Sequence, residues 1–204
     1  NSNFANKKNY KIPKIIAVSK TFGMDKILPL IEYGHFDFGE NKVQEAIKKW
    51  SDLKLNNSDI KLHLIGGLQT NKVKLAVKLF DYIHSVDSEK LAKKISIEQQ
   101  KQKKKVRVFI QVNIGNEGQK FGVDKLLVPK LCSYCKTLDL EVVGLMCIPP
   151  INEPSEIFFK EMSEMNKKLN LEELSMGMSS DYLNAIKNSA TYVRIGSNIF
   201  GERN

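Results

Sequence analysis

Apolar positions recur along this chain in two alternating rhythms. Short runs rich in Val, Ile and Leu occur near residues 14–20, 36–41, 61–67, 82–88, 106–115, 141–149, 172–178 and 192–197. Near-continuous apolarity of this kind marks parallel strands buried on both faces. Between the runs, the spacing changes to i, i+3, i+4, i+7. Val43, Ala46, Ile47, Trp50 and Leu53 form one such stripe, and Phe158, Phe159, Met162, Met165 and Leu169 another. The same period predicts helices over 42–55, 71–81, 88–101, 124–138, 155–170 and 180–190. Ser88 and Asp124 stand where N-caps belong. The stretch 24–33 carries Pro29, so a short or kinked helix is expected there.

Strands alternating with helices predict βαβ units and a parallel sheet. Eight such units in 204 residues predict a closed (β/α)8 TIM-type barrel, with an open doubly wound sheet as the alternative. No GxGxxG follows the first strand, which argues against a dinucleotide-binding fold. No linker or repeat divides the chain, so residues 1–204 read as one domain. No apolar run reaches 18 residues, so no membrane span is expected.

Composition adds little until charge is considered. Hydrophobic residues make up 42% and charged residues 27%, ordinary values for a globular chain. The net charge is +9, yet the excess is spread over Lys-rich helical segments, and only three residues are arginine. Such dispersal reads as a solvated surface and argues against a nucleic-acid reader. Three cysteines, an odd number, and no signal peptide point to a reducing, cytoplasmic compartment. Cys132 and Cys135 have CxxC spacing, but they lie on a helical apolar stripe with no second pair, so they read as packing thiols and no metal site is expected.

In a barrel the chemistry gathers at the C-terminal strand ends. Those ends carry Lys20, Glu40-Asn41, Gly66-Gly67, His84, Asn113, Pro149-Pro150, Gly177-Met178-Ser179-Ser180 and Gly196-Ser197. Alternation turns Ile16, Val18 and Lys20 to the same side. A partly desolvated lysine amine can form a Schiff base with an aldehyde; a lysine that snorkels to water is the plainer alternative. The loops after strands 7 and 8 are the usual phosphate site of a barrel, though the same residues also serve as ordinary turns and caps. Together, an amine opposite a phosphate cradle suits a phosphorylated aldehyde, either pyridoxal 5′-phosphate (PLP) or a sugar phosphate of an aldolase. His63 and His84 can be read as core histidines, and Glu40 as an acid, a base or a cap.

Six separated motifs then become recognisable, in order along the chain. They are Ala17-Val18-Ser19-Lys20-Thr21, Phe38-Gly39-Glu40-Asn41-Lys42-Val43-Gln44-Glu45, His63 to Lys72 (HLIGGLQTNK), Gly144-Leu145-Met146, Leu174 to Ser179 (LSMGMS) and Val193-Arg194-Ile195-Gly196-Ser197. The set resembles the pyridoxal phosphate homeostasis protein family (YggS/PROSC) over essentially the whole chain. The resemblance implies a barrel like the N-terminal domain of alanine racemase, with PLP held as a Schiff base on Lys20. It also implies Asn41 beside the ring substituents and His63 and Met146 lining the ring pocket. Ser179, Gly196 and Ser197 would hold the phosphate, with Arg194 near the ring nitrogen or the phosphate. The family typically has Thr at the position of Ser197, and either hydroxyl can donate to phosphate. A second, β-rich domain covers the site in alanine racemase, and the barrel here consumes nearly all of the chain. The expectation is therefore a non-catalytic PLP carrier or regulator, a monomer whose partners are PLP and PLP-dependent apoenzymes. A racemase of low activity is the alternative.

Overall fold

The computed structural model describes residues 12–118 and 121–201. Eight parallel strands close on themselves: β1 (Lys14–Val18), β2 (Asp37–Glu40), β3 (Lys61–Leu64), β4 (Tyr82–Val86), β5 (Arg107–Asn113), β7 (Glu141–Cys147), β8 (Glu173–Met178) and β9 (Tyr192–Ile195). Each pairs with the next, β4 pairs with β5, and β1 returns to pair with β9, so no edge is left open. A two-residue strand, β6 (Val123–Asp124), adds to β5 from the loop above it. The expected TIM-type barrel is thus observed, and the open sheet is not.

The helices are α1 (Met24–Glu32), α2 (Val43–Asn56), α3 (Val73–Leu79), α4 (Glu89–Gln102), α5 (Val128–Thr137), α6 (Ser155–Lys168), α7 (Tyr182–Lys187) and α8 (Ser197–Phe200). Ser88 caps α4, its Oγ accepting from the Leu91 N–H. Asp124 caps a short 3-10 turn ahead of α5, accepting from the Leu126 N–H at 2.8 Å. Pro29 lies inside the nine-residue α1. Six of the eight expected strands run two or three residues too far, because the chain leaves the sheet as soon as it reaches the mouth. After Val18 it turns at once, with the Phe22 N–H donating to the Ser19 carbonyl.

Two cores result. A large one fills the ring between strands and helices and takes the predicted stripes, with Val43, Ala46, Trp50, Phe159 and Met162 buried in it. A small one fills the barrel itself: Ile16, Tyr82, Phe109, Met146 and Tyr192. Rings dominate this inner core. His63 stacks on Tyr82 at 4.4 Å between centroids, and His84 on Phe109 at 4.2 Å.

Candidate functional site

The C-terminal mouth of the barrel holds a cavity of about 540 Å³, within the usual range for small-ligand sites. Its residues come from both ends of the chain. Val18 and Lys20 follow β1, and Asn41 follows β2. Ile65, Gly66 and Gly67 follow β3, and Gln111 comes from β5. Met178, Ser179, Ser180, Arg194, Gly196 and Ser197 complete the wall from β8, β9 and the loops beyond them.

Lys20 reaches the cavity from a tight turn. The next residue, Thr21, has φ 70, a conformation that β-branched side chains rarely adopt and that marks local strain. Ser19, on the other side of Lys20, is fully buried and points away from the cavity. Its Oγ donates to Glu40 Oε1 at 2.7 Å, and the same oxygen accepts from Lys49 Nζ at 2.8 Å and Trp50 Nε1 at 2.9 Å. Glu40 therefore ties α2 to the ends of β1 and β2, and faces the helix layer. An acid or base role for Glu40 in the cavity is excluded by this placement. Asn41, its neighbour, turns to the cavity. Gly66 packs against it so closely that a Cβ would sit 2.3 Å from the Asn41 carbonyl oxygen.

The opposite wall carries hydroxyls and backbone. The Gly196 N–H donates to Ser179 Oγ at 3.3 Å, and Ser197 opens the four-residue α8. Gly177, just before this wall, has φ 90, which permits the sharp turn out of β8. Phe22 stacks on Phe200 at 4.9 Å, joining the Lys20 turn to α8. Arg194, only 4% exposed, donates from NH1 to the Ser175 carbonyl at 2.9 Å and to Ser175 Oγ at 2.8 Å, and from NH2 to the Cys147 carbonyl at 2.8 Å. Burial lowers its pKa from the usual arginine value, partly offset by Cys147 and Asp181; a guanidinium remains a cation regardless.

Six of the eight expected site residues thus meet at one cavity: Lys20, Asn41, Ser179, Arg194, Gly196 and Ser197. His63 and Met146 do not. Both are fully buried in the barrel interior and line no part of the cavity wall. Ile65 and Ile148, two residues further along the chain and just past the ends of β3 and β7, line it instead. Gln111 and Phe121 were not anticipated. Gln111 is the lone polar side chain within the apolar run of β5 and shares its side with Phe109, a signal the sequence does contain. Phe121 comes from an irregular loop and is 69% exposed; nothing in its surroundings in sequence singles it out. Among the described residues, no cluster of three or more His, Cys, Asp or Glu could hold a metal ion, and no helix is long and apolar enough to cross a membrane.

The cavity suits a planar, phosphorylated aldehyde. It offers an amine on one wall and hydroxyls with backbone N–H on the other. A buried cation stands by, and Val18, Ile65 and Ile148 form apolar surface. Among the described residues, no carboxylate lines it to repel a phosphate.

Comparison with known proteins agrees with this chemistry. Residues 1–204 match the alanine racemase, N-terminal domain family. The pyridoxal phosphate homeostasis protein of Aquifex aeolicus is 39% identical over 200 residues, covering 93% of this chain and 87% of the relative. The human protein of the same description is 36% identical over 211 residues, covering 94% and 77%. Among solved structures, PipY of Synechococcus elongatus without PLP superposes with a TM-score of 0.88 at 34% identity, covering 93% of each chain. The same protein with PLP bound gives 0.85 at 33% identity, covering 93% and 92%. Alanine racemase of Clostridium difficile shares the fold at 17% identity, with a TM-score of 0.73. The chain belongs to the pyridoxal phosphate homeostasis protein family, whose barrel is of the alanine racemase N-terminal type.

Proposed function

We propose that this chain binds PLP at the mouth of the barrel and serves in intracellular PLP homeostasis as a non-catalytic carrier. The whole chain is read as a single PLP-binding domain that works as a monomer in the cytoplasm. One observation carries the reading. Lys20 and the Ser179–Gly196–Ser197 wall face one cavity, in a fold matched by a PLP-bound relative.

PLP supplies an aldehyde that condenses with amines and a ring that withdraws electrons. The chain's residues would divide the work of holding it. Lys20 offers Nζ for a covalent link. Asn41 stands beside the ring substituents, Ile65 and Ile148 flank the ring, and Ser179, Gly196 and Ser197 receive the phosphate. Arg194 keeps an Nε–H and one NH2 hydrogen beyond its three bonds to Ser175 and Cys147.

The cavity lining also supports carriage over turnover. Racemisation needs an acid/base group opposite the lysine. Lys20 and Arg194 are the only ionisable side chains lining the cavity among the described residues, and Arg does not give up its proton in proteins. The partners proposed to receive the cofactor are PLP-dependent apoenzymes.

An absorbance spectrum tests the site. Purified protein with PLP is expected to show a band at about 420 nm, removed by borohydride and missing in Lys20→Ala, because the link requires the lysine amine. A Lys20→Ala variant that keeps the band would refute the assignment. Amino acids incubated with the loaded protein in deuterated water are expected to keep their Cα protons. Exchange above background would restore the racemase alternative. Light scattering is expected to return the 23.2 kDa monomer mass.

A further inference from the structure

Beneath the cavity the barrel interior is polar where barrels of this type are mostly filled by branched apolar side chains. His63, His84 and Ser175 are each fully buried there. Their polar atoms meet in an unbroken file. Ser175 Oγ lies 2.8 Å from Arg194 NH1 and 3.0 Å from His84 Nδ1. His84 Nε2 lies 3.0 Å from His63 Nδ1, and His63 Nε2 lies 2.9 Å from Asp37 Oδ1. Asp37 begins β2 at the N-terminal end of the barrel, with its side chain 27% exposed, and lines no part of the cavity.

The two ends fix the direction of every bond between them. A guanidinium can only donate and an ionised carboxylate can only accept. Arg194 therefore donates to Ser175, so the serine hydrogen is free for the His84 Nδ1 lone pair. His84 must then carry its proton on Nε2 and donate to His63 Nδ1. His63 must carry its proton on Nε2 and donate to Asp37. Both imidazoles are neutral, and each ring nitrogen is used once. Moving the His84 proton to Nδ1 would reverse that ring and set His63 Nε2 lone pair against carboxylate oxygen. Burial favours the same state: it pushes both histidines below their usual pKa, and His63 and the Arg194 charge push His84 further. Burial alone would raise Asp37, but the hydrogen bond from His63, with the nearby Lys14 charge, outweighs it and holds the carboxyl low.

We propose that Asp37, His63, His84 and Ser175 are positioning residues for PLP: a one-way hydrogen-bond wire, anchored at the far end of the barrel, that locks the Arg194 guanidinium against the cofactor cavity. The proposal rests on the PLP reading of that cavity. Its physical content is the serine rotor. Ser175 Oγ presents a lone pair squarely to Arg194 when its own hydrogen is held toward His84. His84 claims it, His63 sets the His84 tautomer, and Asp37 sets that of His63. Without the wire, the serine hydrogen can turn toward the guanidinium and oppose it.

Nitrogen-15 NMR of the histidines in the PLP-free protein tests the wire by itself. At neutral pH both are expected as neutral Nε2–H tautomers. A Nδ1–H tautomer or an imidazolium at either position would overturn the wire, whatever the cofactor does. The link to the cofactor is tested with Asp37→Ala, which removes the anchor at a partly exposed edge, and Ser175→Ala, which deletes one oxygen beside Arg194. Each is expected to weaken PLP binding about tenfold, the effect of one charge-assisted hydrogen bond, and to shift the absorbance maximum of the bound cofactor. Asp37→Asn keeps an acceptor oxygen for His63 and is expected to bind within about twofold of the native protein. If both alanine variants keep the native affinity and spectrum, the wire is scaffolding only. If the native protein fails to bind PLP at all while the tautomers are as stated, the cofactor reading fails and the wire stands.

Discussion

Burial decides how the chain's reactive side chains behave. Cys132 is pushed up to about 11, and Cys135 and Cys147 to about 12, by removal from water. A thiolate, not a thiol, attacks disulfides and binds metals. Burial therefore disfavours the thiolate at both CxxC cysteines. Titration of the native protein with a disulfide reagent at pH 8 is expected to label none of the three, and all three once urea has unfolded it. His63 and His84 lend stability a pH dependence in one direction. Their folded pKa values lie below the unfolded value near 6.5. Below that pH the unfolded chain takes up protons that the folded chain refuses, so stability is full above it and falls as pH drops. Urea midpoints are expected to be lower at pH 5.5 than at pH 7.5. At this scale Lys20 was legible and the depth of His63 and Met146 was not. Alternation tells which side of a strand a residue faces, and not how far along the barrel axis it sits. Both lie one inward-facing step too deep.

The elements around the cavity are held by contacts that never enter it. Glu40 joins α2 to β1 and β2 through Ser19, Lys49 and Trp50, and those two strands end in Lys20 and Asn41. Removing one partner of a buried charge pair leaves the others unpaired, at a cost of about 3–5 kcal/mol. Glu40→Ala is expected to lose that much in urea denaturation, and Glu40→Gln less, because the amide keeps an acceptor oxygen. Gly66→Ala would place a methyl 2.3 Å from the Asn41 carbonyl oxygen. Backbone on backbone cannot rotate away, so the Asn41 wall must shift. A clear loss of PLP affinity is expected in a titration, with the circular dichroism spectrum unchanged. The helices were legible because each buries one stripe against the sheet. The two-residue β6 and the four-residue α8 were not, since neither is long enough to display a period.

Across the whole molecule, closure is what brings the chemistry together. The first and last strands lie side by side, with Ile16 opposite Arg194 and Ala17 opposite Ile195. The cavity sits over that seam. PLP held across the seam, as proposed, would bind the closed form in preference, so saturating cofactor is expected to raise the melting temperature of the whole barrel in one transition. The barrel was legible from eight strand–helix alternations. Its polar interior was not, because each interior residue comes from a different strand and no local pattern joins Asp37 to His63, His84 and Ser175.

The seam also sets a clock on when the protein can begin to work. Synthesis proceeds from the amino end, so Lys20 leaves the ribosome early and waits for its partners. Arg194, Gly196 and Ser197 emerge only with the last strand of the barrel. A chain ended before β9 carries Lys20 but no wall opposite it, and is expected not to retain PLP. On the proposed reading, holding PLP would certify that the barrel has been read to its last strand.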